Sequence, residues 1–280
     1  MSAVELVVTD LDGTFWYHDL QVASSVLAAV AELERRGVPL LVATGRRLTS
    51  TRAPLAKVGL TPPAIVLNGA LGLDLDSLER FHLAPFPVHE ALQAYDAFVN
   101  VDLSPVVYVD HPRYDVFISD APSTNPAHVQ ALGDTAGTRW GPRSRSVVDD
   151  LRAAVADTPV LGFSLIGVPF DAAEAAFAAL APLAEVHLDR AIDHPGLAAM
   201  TVAPCGQSKW DGVLAYCAAR GIDSTKVMAV ADGPNDLELL ANAAVRVVPK
   251  IAHADALALA TDLIPSAQDA GWSEIPSLLH

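Results

Sequence analysis

The chain has 280 residues, of which 51% are hydrophobic and 18% charged, and its formal net charge is -15 at pH 7. A chain of this size can bury a large core and can form two domains, whereas its negative charge argues against nucleic acid and anionic membranes as partners. Its apolar runs end well before the ~20 residues that span a bilayer, and the N-terminus lacks the basic and apolar regions of a signal peptide. We therefore expect small molecules as partners.

The number and spacing of the cysteines indicate in which cellular compartment the protein is expected. Cys205 and Cys217 are the two in the chain, and they lack the C-x-x-C spacing of zinc and redox sites. They argue against a disulfide framework as well as a zinc site. Since reduced thiols are typical of a cytoplasm, we expect a cytoplasmic protein.

The first predicted element is a buried strand that ends in two acids. Residues 6–8 are apolar without polar alternation, which is typical of a strand buried on both faces in a parallel sheet. Gly13 allows a turn that leaves Asp10 and Asp12 in the crevice at the strand tip, where open α/β sheets bind ligands. An Asp-Gly pair alone is also typical of a simple turn. An EF-hand loop is excluded, because its sixth and twelfth positions lack Gly and Glu.

Two more strand units repeat this plan. The apolar spacing predicts, in order, helix 23–36, strand 38–43, helix 49–60 and strand 64–67. Thr44 and Asn68 each follow one of these strands, and Pro54 is expected in the first turn of its helix, where proline is tolerated. Because strand-helix-strand connections are right-handed and parallel in nearly all sheets, we expect the polar strand ends to meet on one rim.

From about residue 84 the pattern changes to short, partly alternating runs that prolines punctuate. It predicts strands at 106–109, 114–118, 160–166 and 186–188, with helices at 90–100 and 172–180. This pattern is typical of an α+β unit with antiparallel strands. We interpret residues 84–199 as a second domain that is inserted into the first.

The α/β pattern then resumes, and residues 1–83 and 200–280 are predicted to form the first domain. Lys209 begins an amphipathic helix that runs to Arg220 and stops at Gly221. Strand 227–231 leads to a polar run that ends at a helix beginning near Leu237. Strand 245–248 and helix 252–260 complete the pattern.

The strand ends supply the polar groups from which a site is predicted. They are Asp10, Asp12, Thr44, Asp232, Asn235 and Asp236, with Lys209 at a helix start. Like charges a few ångströms apart repel, so four carboxylates require raised pKa values or a cation, and an all-oxygen donor set suits Mg²⁺. Lys209 and the Thr44 hydroxyl could then bind a phosphate. Asp10 could attack it, and Asp12 could protonate the leaving group and activate water.

These motifs resemble those of a known family. Four segments are similar, in order, to motifs one to four of the haloacid dehalogenase superfamily: Asp10-Leu11-Asp12-Gly13-Thr14, Thr44-Gly45-Arg46, Lys209 and Asp232-Gly233-Pro234-Asn235-Asp236. The long insert between motifs two and three resembles the Cof-type subfamily with its cap. The resemblance implies a Rossmann-like doubly wound parallel sheet with an inserted α+β cap that sets specificity. It also implies a Mg²⁺-dependent phosphatase of a small phosphorylated metabolite, acting through an aspartyl-phosphate.

The resemblance further implies a role for each matching residue. The catalytic residues would be Asp10, Asp12, Thr44 and Lys209. The metal would be held by Asp10, the Asp12 backbone carbonyl and Asp232, with Asn235 and Asp236 in support. The rim near the substrate would carry Gly45, Arg46 and Asn68, with Arg46 either contacting substrate or serving as plain surface charge.

Two alternatives to a phosphatase stay open, a phosphomutase and a non-catalytic sensor of a phosphorylated ligand. Two departures from the family pattern also stand out. Ala231 precedes Asp232 where the family usually has glycine, and Val248-Pro249-Lys250 replaces an Asn-containing loop near the phosphate. The identity of the substrate, the cap residues that select it and the oligomeric state have no signature in the sequence.

Overall fold

The computed structural model describes residues 4–17, 20–111, 116–120, 145–191 and 194–279. The chain divides into two units. The core unit comprises Met1–Arg46, Ser50–Leu83 and Ser208–His280, and the inserted unit comprises Arg47–Thr49 and Ala84–Gln207. The inserted unit runs past the predicted boundary at residue 199, because the strand Ala198–Ala203 pairs within its sheet.

Strands and helices follow one another along the described ranges, and none of these helices is both long and apolar enough to cross a membrane. Their order is β1 (Leu6–Thr9), α1 (Ser24–Arg35), β2 (Leu40–Ala43), α2 (Leu48–Lys57), β3 (Pro63–Val66), β4 (Leu71–Asp74), β5 (Arg80–Leu83), α3 (Val88–Val99), β6 (Val106–Val109), β7 (Val116–Asp120), β8 (Arg145–Val148), α4 (Leu151–Asp157), β9 (Val160–Val168), α5 (Phe170–Leu180), β10 (Glu185–Arg190), β11 (Ala198–Ala203), α6 (Lys209–Arg220), β12 (Val227–Val230), α7 (Leu237–Asn242), β13 (Val245–Pro249), α8 (Ala254–Leu259) and β14 (Asp262–Ile264). Helix α6 has the predicted bounds.

The core unit is built on an eight-stranded sheet in the order β14-β13-β12-β1-β2-β3-β4-β5. The six neighbouring strands from β14 to β3 run parallel. Leu6 and Val8 of β1 belong to an apolar cluster with Trp210 of α6. On the opposite face, Trp272 Nε1 donates to Thr9 Oγ1 at 2.9 Å. Packing on both faces explains why the strands lack polar alternation, and the predicted doubly wound α/β fold is confirmed.

An antiparallel hairpin at the edge of the core sheet was not predicted. It pairs β4 with β3 and with β5. Asp74 closes the turn of the hairpin, since its Oδ1 accepts from the N–H groups of Asp76 and Ser77 at 2.9 and 2.8 Å. No α-helix separates these strands, so they do not fit the strand-helix-strand pattern of the rest of the core.

Pro54 lies inside helix α2 rather than in its first turn, so that prediction was wrong. A proline at this place removes the N–H that would bond to the carbonyl of Ser50, four residues earlier. Arg46 Nη1 donates to this carbonyl instead, at 3.3 Å. The Ser50 carbonyl therefore has a side-chain donor.

The inserted unit is built on a six-stranded sheet in the order β10-β11-β9-β6-β7-β8. Its neighbouring strands are antiparallel, as predicted, except that β7 and β8 run parallel. Helices α3, α4 and α5 share one apolar cluster with the sheet, which includes Phe98, Val155 and Ala176. Strand β8 and helix α4 were not predicted. Of the predicted strand 114–118, residues 114 and 115 lie outside the described ranges.

Candidate active site

The structure brings three of the polar strand ends to one edge of the core sheet. Strand β1 lies between β12 and β2, and all three run parallel, so their carboxyl ends share an edge. Asp10 follows β1, Thr44 follows β2, and Asp232 comes two residues after β12. The Asp10 N–H donates to the Val230 carbonyl at 2.9 Å, which ties the first and last of these strand ends together.

Lys209 lies between two buried carboxylates. Its Nζ donates to Asp10 Oδ1 at 2.7 Å and to Asp236 Oδ1 at 2.6 Å. Burial lowers the pKa of Lys209, but the Asp10 and Asp236 carboxylates raise it by more, so the net shift is upward and the ammonium stays charged. We refer to Asp10, Lys209 and Asp236 as the buried charge network.

Local contacts fix the start of α6 at Lys209. Asp211 Oδ2 accepts from the Ser208 N–H at 2.9 Å and from the Ser208 hydroxyl at 3.0 Å, which caps the first turn. Gly69 packs against the backbone at the start of α6. Its φ is 110°, and a Cβ at this position would lie 2.1 Å from the Ser208 carbonyl oxygen. A larger residue at position 69 would therefore displace the start of the helix, and Lys209 with it.

Asp232 forms a carboxylate cluster with Asp10 and Asp236. One oxygen from each carboxylate lies within 4.8 Å of the other two. Thr14 Oγ1 donates to Asp232 Oδ1 at 2.5 Å. Gly13 makes room for this carboxylate, since a Cβ there would lie 2.4 Å from Asp232 Oδ2. The glycine of the first motif is thus required by its contact with the fourth motif as well as by its φ of 79°.

The charges at this edge do not balance. Burial raises the pKa of Asp10 well above its usual range, by more than Lys209 lowers it. Burial also raises the pKa of Asp232 to about 7, although the hydrogen bond from Thr14 lowers it. With Asp12 included, the edge holds two more carboxylates than cations that pair with them. Such an excess of negative charge among oxygen donors fits a hard divalent cation.

Asp12 is paired outside the cluster. Arg46 donates to it twice, from Nε to Oδ2 at 2.5 Å and from Nη2 to Oδ1 at 2.6 Å. Trp16 Nε1 donates to Oδ1 at 3.0 Å, and the Arg46 guanidinium lies over the Trp16 ring, with Cζ 5.4 Å from the ring centroid. Arg46 was expected to contact substrate or to be plain surface charge. In the structure its guanidinium pairs with Asp12, and its contact with substrate stays a prediction.

Thr44 and Asn68 line the same region. Thr44 is buried, and its Oγ1 accepts from the Arg46 N–H at 3.1 Å. Its hydroxyl donates to no acceptor among the described residues. Its hydrogen is therefore available to a ligand. Asn235 Nδ2 donates to Asn68 Oδ1 at 3.0 Å, so the predicted metal-supporting amide contacts the predicted rim residue. Gly45 permits this, since a Cβ there would lie 2.9 Å from Asn68 Oδ1.

Two residues at this edge were given no role from the sequence. Thr14 belongs to the first motif, but its bond to Asp232 joins positions 218 residues apart. Trp16 is 1% exposed and is indistinguishable from a core residue in the sequence. The signal that could have identified it is chemical, because a buried indole N–H needs an acceptor and Asp12 lies four residues earlier.

The sequence matches a known family along nearly its whole length. The family model described as haloacid dehalogenase-like hydrolase covers residues 7–275. A pyridoxal phosphate phosphatase of Escherichia coli is 22% identical over 243 residues, which cover 84% of each chain. A 5-amino-6-(5-phospho-D-ribitylamino)uracil phosphatase of Bacillus subtilis is 27% identical over 246 residues, 84% of this chain and 82% of the relative.

Two further matches differ in extent. A phosphoglycolate phosphatase of Methanopyrus kandleri is 36% identical over 66 residues, so the match spans only 24% of this chain and 28% of that relative. A solved structure of a haloacid dehalogenase-like hydrolase from Bacillus subtilis superposes with a TM-score of 0.78 at 17% identity, over 99% of this chain and 100% of the other. At that identity the likeness concerns the fold.

Proposed function

This chain belongs to the haloacid dehalogenase-like hydrolases, as a Cof-type member, and from this membership and the site we propose that it is a Mg²⁺-dependent phosphatase of a small phosphorylated metabolite. The predicted enzyme class, a phosphoric monoester hydrolase, is confirmed, since relatives aligned over 84% of this chain are phosphatases. The finer proposal depends mainly on one observation, the buried charge network beside the carboxylate cluster.

Asp10 is proposed as the nucleophile. Its Oδ1 accepts from Lys209, which leaves Oδ2 free to attack phosphorus. The attack forms a bond between Asp10 and phosphorus and breaks the bond between phosphorus and the leaving oxygen, giving an aspartyl-phosphate. Lys209 and the unused hydroxyl hydrogen of Thr44 offer donors to the phosphoryl oxygens while charge develops on them.

Asp10, Asp232 and the Asp12 backbone carbonyl are proposed to hold Mg²⁺. Asp236 already accepts hydrogen bonds at both carboxylate oxygens, so we give it, with Asn235, a supporting role. The proposal is supported by the oxygen donor set and by the excess of carboxylates over cations at this edge. A bound divalent cation would offset that excess and polarise the phosphate.

Asp12 is proposed to move protons. It would protonate the leaving oxygen in the first half of the reaction and activate water against the aspartyl-phosphate in the second. Its side chain is 30% exposed, so it can contact the leaving group of a bound substrate. The turn at Gly13 places both acids on one loop.

The substrate is proposed to be a phosphomonoester of a small organic molecule. The relatives are named for three different molecules of this class, so no one of them is assigned to this chain. Selection among such molecules is proposed for the inserted unit, in line with the predicted cap at 84–199. A cytoplasmic location and the absence of a nucleic-acid partner stay predictions.

The test is release of inorganic phosphate from a panel of phosphomonoesters that includes 4-nitrophenyl phosphate. Asp10→Asn should lower the rate at least ~1000-fold. Asp223→Asn is the matched control, because Asp223 is exposed and precedes β12 at the opposite edge of the sheet. A chelator should abolish activity and Mg²⁺ should restore it. Mg²⁺ should also raise the melting temperature of the wild type but not of Asp232→Asn.

Other outcomes would change the conclusion. If the wild type with Mg²⁺ released no phosphate from any panel member, the proposal would be wrong. Movement of phosphate within one metabolite, with total ester phosphate unchanged, would indicate the phosphomutase alternative. Saturable binding of a phosphorylated ligand without turnover would indicate the sensor.

A further inference from the structure

We propose that Trp16 and Arg46 form a clamp that positions the Asp12 carboxylate for proton transfer to the leaving group. The inference rests on the proposed function and adds to it a residue, Trp16, that none of the four motifs includes. Because Trp16 acts through Asp12, it is a positioning residue and not a catalytic one. We refer to Asp12, Arg46 and Trp16 as the Asp12 clamp.

The hydrogen bonds to Asp12 are shared unequally between its two oxygens. Oδ1 accepts from Arg46 Nη2 and from Trp16 Nε1, whereas Oδ2 accepts from Arg46 Nε. Each carboxylate oxygen offers two lone pairs, so Oδ1 is saturated and Oδ2 keeps one. The part of the chain that the structure describes offers Asp12 no further hydrogen bond. Oδ2 is therefore the atom that can hold the transferable proton.

Arg46 is itself held in one orientation. Its two parallel hydrogen bonds align the guanidinium with the plane of the Asp12 carboxylate. The Trp16 ring supports the flat face of the guanidinium. A third nitrogen, Nη1, donates to the Ser50 carbonyl, to which Pro54 cannot donate because it has no N–H. Rotation of the guanidinium would break all of these contacts together.

Trp16 is held by the same loop that carries Asp12. The Gly13 N–H donates to the Trp16 carbonyl and the Trp16 N–H donates to the Leu11 carbonyl, both at 3.0 Å. The backbones of Asp12 and Trp16 pair as an isolated bridge. Since the indole is buried and its backbone is tied at both polar groups, the ring cannot move without the loop. It therefore fixes Asp12 together with Arg46, since both donate to Asp12 Oδ1.

A purely structural role for the indole contact is the competing explanation. A buried indole N–H needs a hydrogen-bond acceptor. On this explanation the contact stabilises the buried Trp16 and does not position Asp12. The chain contains a matched comparison in Trp272, which is fully buried and donates from Nε1 to Thr9 Oγ1 at 2.9 Å. Both tryptophans make edge contacts with Phe15. Of the two, only Trp16 donates to Asp12.

The clamp predicts which substrates depend on it. As the bond between phosphorus and the leaving oxygen breaks, the proton on Asp12 Oδ2 moves to that oxygen, and Asp12 becomes the carboxylate that Arg46 and Trp16 stabilise. No other reactant takes part in this step. A 4-nitrophenolate is a stable anion and hardly needs the proton, whereas an alkoxide needs it. Loss of the clamp should therefore slow alkyl phosphates selectively.

The experiment compares kcat/KM for 4-nitrophenyl phosphate and for an alkyl phosphate that the wild type hydrolyses. This constant covers the steps up to departure of the leaving group. Trp16→Phe should lower it at least ~10-fold for the alkyl phosphate and less than ~3-fold for 4-nitrophenyl phosphate. Trp272→Phe should change both values by the same factor. Arg46→Lys keeps the charge without the two parallel bonds and should show the same selective loss as Trp16→Phe.

The outcomes separate this inference from the proposed function. Equal losses on both substrates in Trp16→Phe and Arg46→Lys would overturn the clamp and leave the proposed function intact. A wild type that hydrolyses neither substrate would overturn the proposed function. If circular dichroism shows that Trp16→Phe does not fold, Arg46→Lys alone decides, and an unchanged ratio between the two substrates overturns the clamp.

Discussion

The two acids of the first motif have opposite surroundings, although a single residue separates them. Asp10 belongs to the buried charge network, in which the side chains of Lys209 and Asp236 are 0% and 1% exposed. Asp12 belongs to the Asp12 clamp, in which the side chains of Arg46 and Asp12 are 21% and 30% exposed. One strand tip thus presents one carboxylate that is mostly buried and another that is partly exposed to water.

Burial decides what each ion pair contributes. A buried ion loses several kcal/mol of hydration, which its partners offset only when all of them are present. An ion pair near the surface can exchange its partner for water, so its loss costs little. The buried charge network should therefore determine stability as well as activity, whereas the Asp12 clamp should determine geometry with little effect on stability. Three substitutions of decreasing effect test this contrast.

Lys209→Met should have the largest effect. It leaves the buried Asp10 and Asp236 carboxylates without their cation, so we expect the free energy of unfolding to fall by about 3–5 kcal/mol. Urea denaturation in the presence of a chelator measures this, since a bound metal ion could otherwise replace the lost charge. Lys226→Met is the control, because Lys226 pairs with Glu5 at 2.6 Å with its side chain 27% exposed. If both variants lost the same free energy, burial would not be the cause.

Arg46→Met should have an intermediate effect. Its partner Asp12 stays accessible to water after the change, so the free energy of unfolding should fall by no more than about 1 kcal/mol. The same urea titration measures it. A loss as large as that of Lys209→Met would show that the clamp is a stability element, and the contrast between the two acids would disappear.

Glu32→Gln extends the contrast to the surface and should have the smallest effect. Hydrogen bonds from Arg35 and Arg36 lower the pKa of Glu32 to about 2. Because the folded-state pKa lies below the ordinary value, this carboxylate stabilises helix α1 above pH 4.5 and loses that contribution as the pH falls through about 2. Melting temperatures of the variant and the wild type should differ slightly at pH 7 and converge on acidification. A difference that grows on acidification would contradict this assignment.

The core fold could be predicted because its signals are local. The unalternated run of β1 and the stop at Gly221 each follow from a few neighbouring residues, and both elements were found. Pro54 was misplaced because the sequence does not reveal that the Ser50 carbonyl has a donor from outside the helix, Arg46 Nη1. The hairpin of β4 and β5 was missed because its antiparallel pairing with β3 departs from the strand-helix-strand pattern on which the predicted core was based.

The sequence predicts which residues form the site but not which of them pair with one another. Parallel strand ends must share an edge, which brings Asp10 and Asp232 together on topology alone. Nothing in the spacing indicates that Arg46 would pair with Asp12, 34 residues away, while Lys209 would pair with Asp10, 199 residues away. Which cation reaches which acid depends on side-chain packing in three dimensions. The role of each of these residues in catalysis stays a prediction.

Lys209 has one more consequence, which concerns the backbone of its own helix. It is the first residue of α6, where aligned peptide dipoles place roughly half a positive charge. A cation is unfavourable at this end, and the only compensation within the first turn is Asp211. Helix stability by itself would therefore disfavour lysine here. Because the dipole and the ammonium add on the side that faces the carboxylates, the helix backbone supplies part of the positive charge that the cluster lacks.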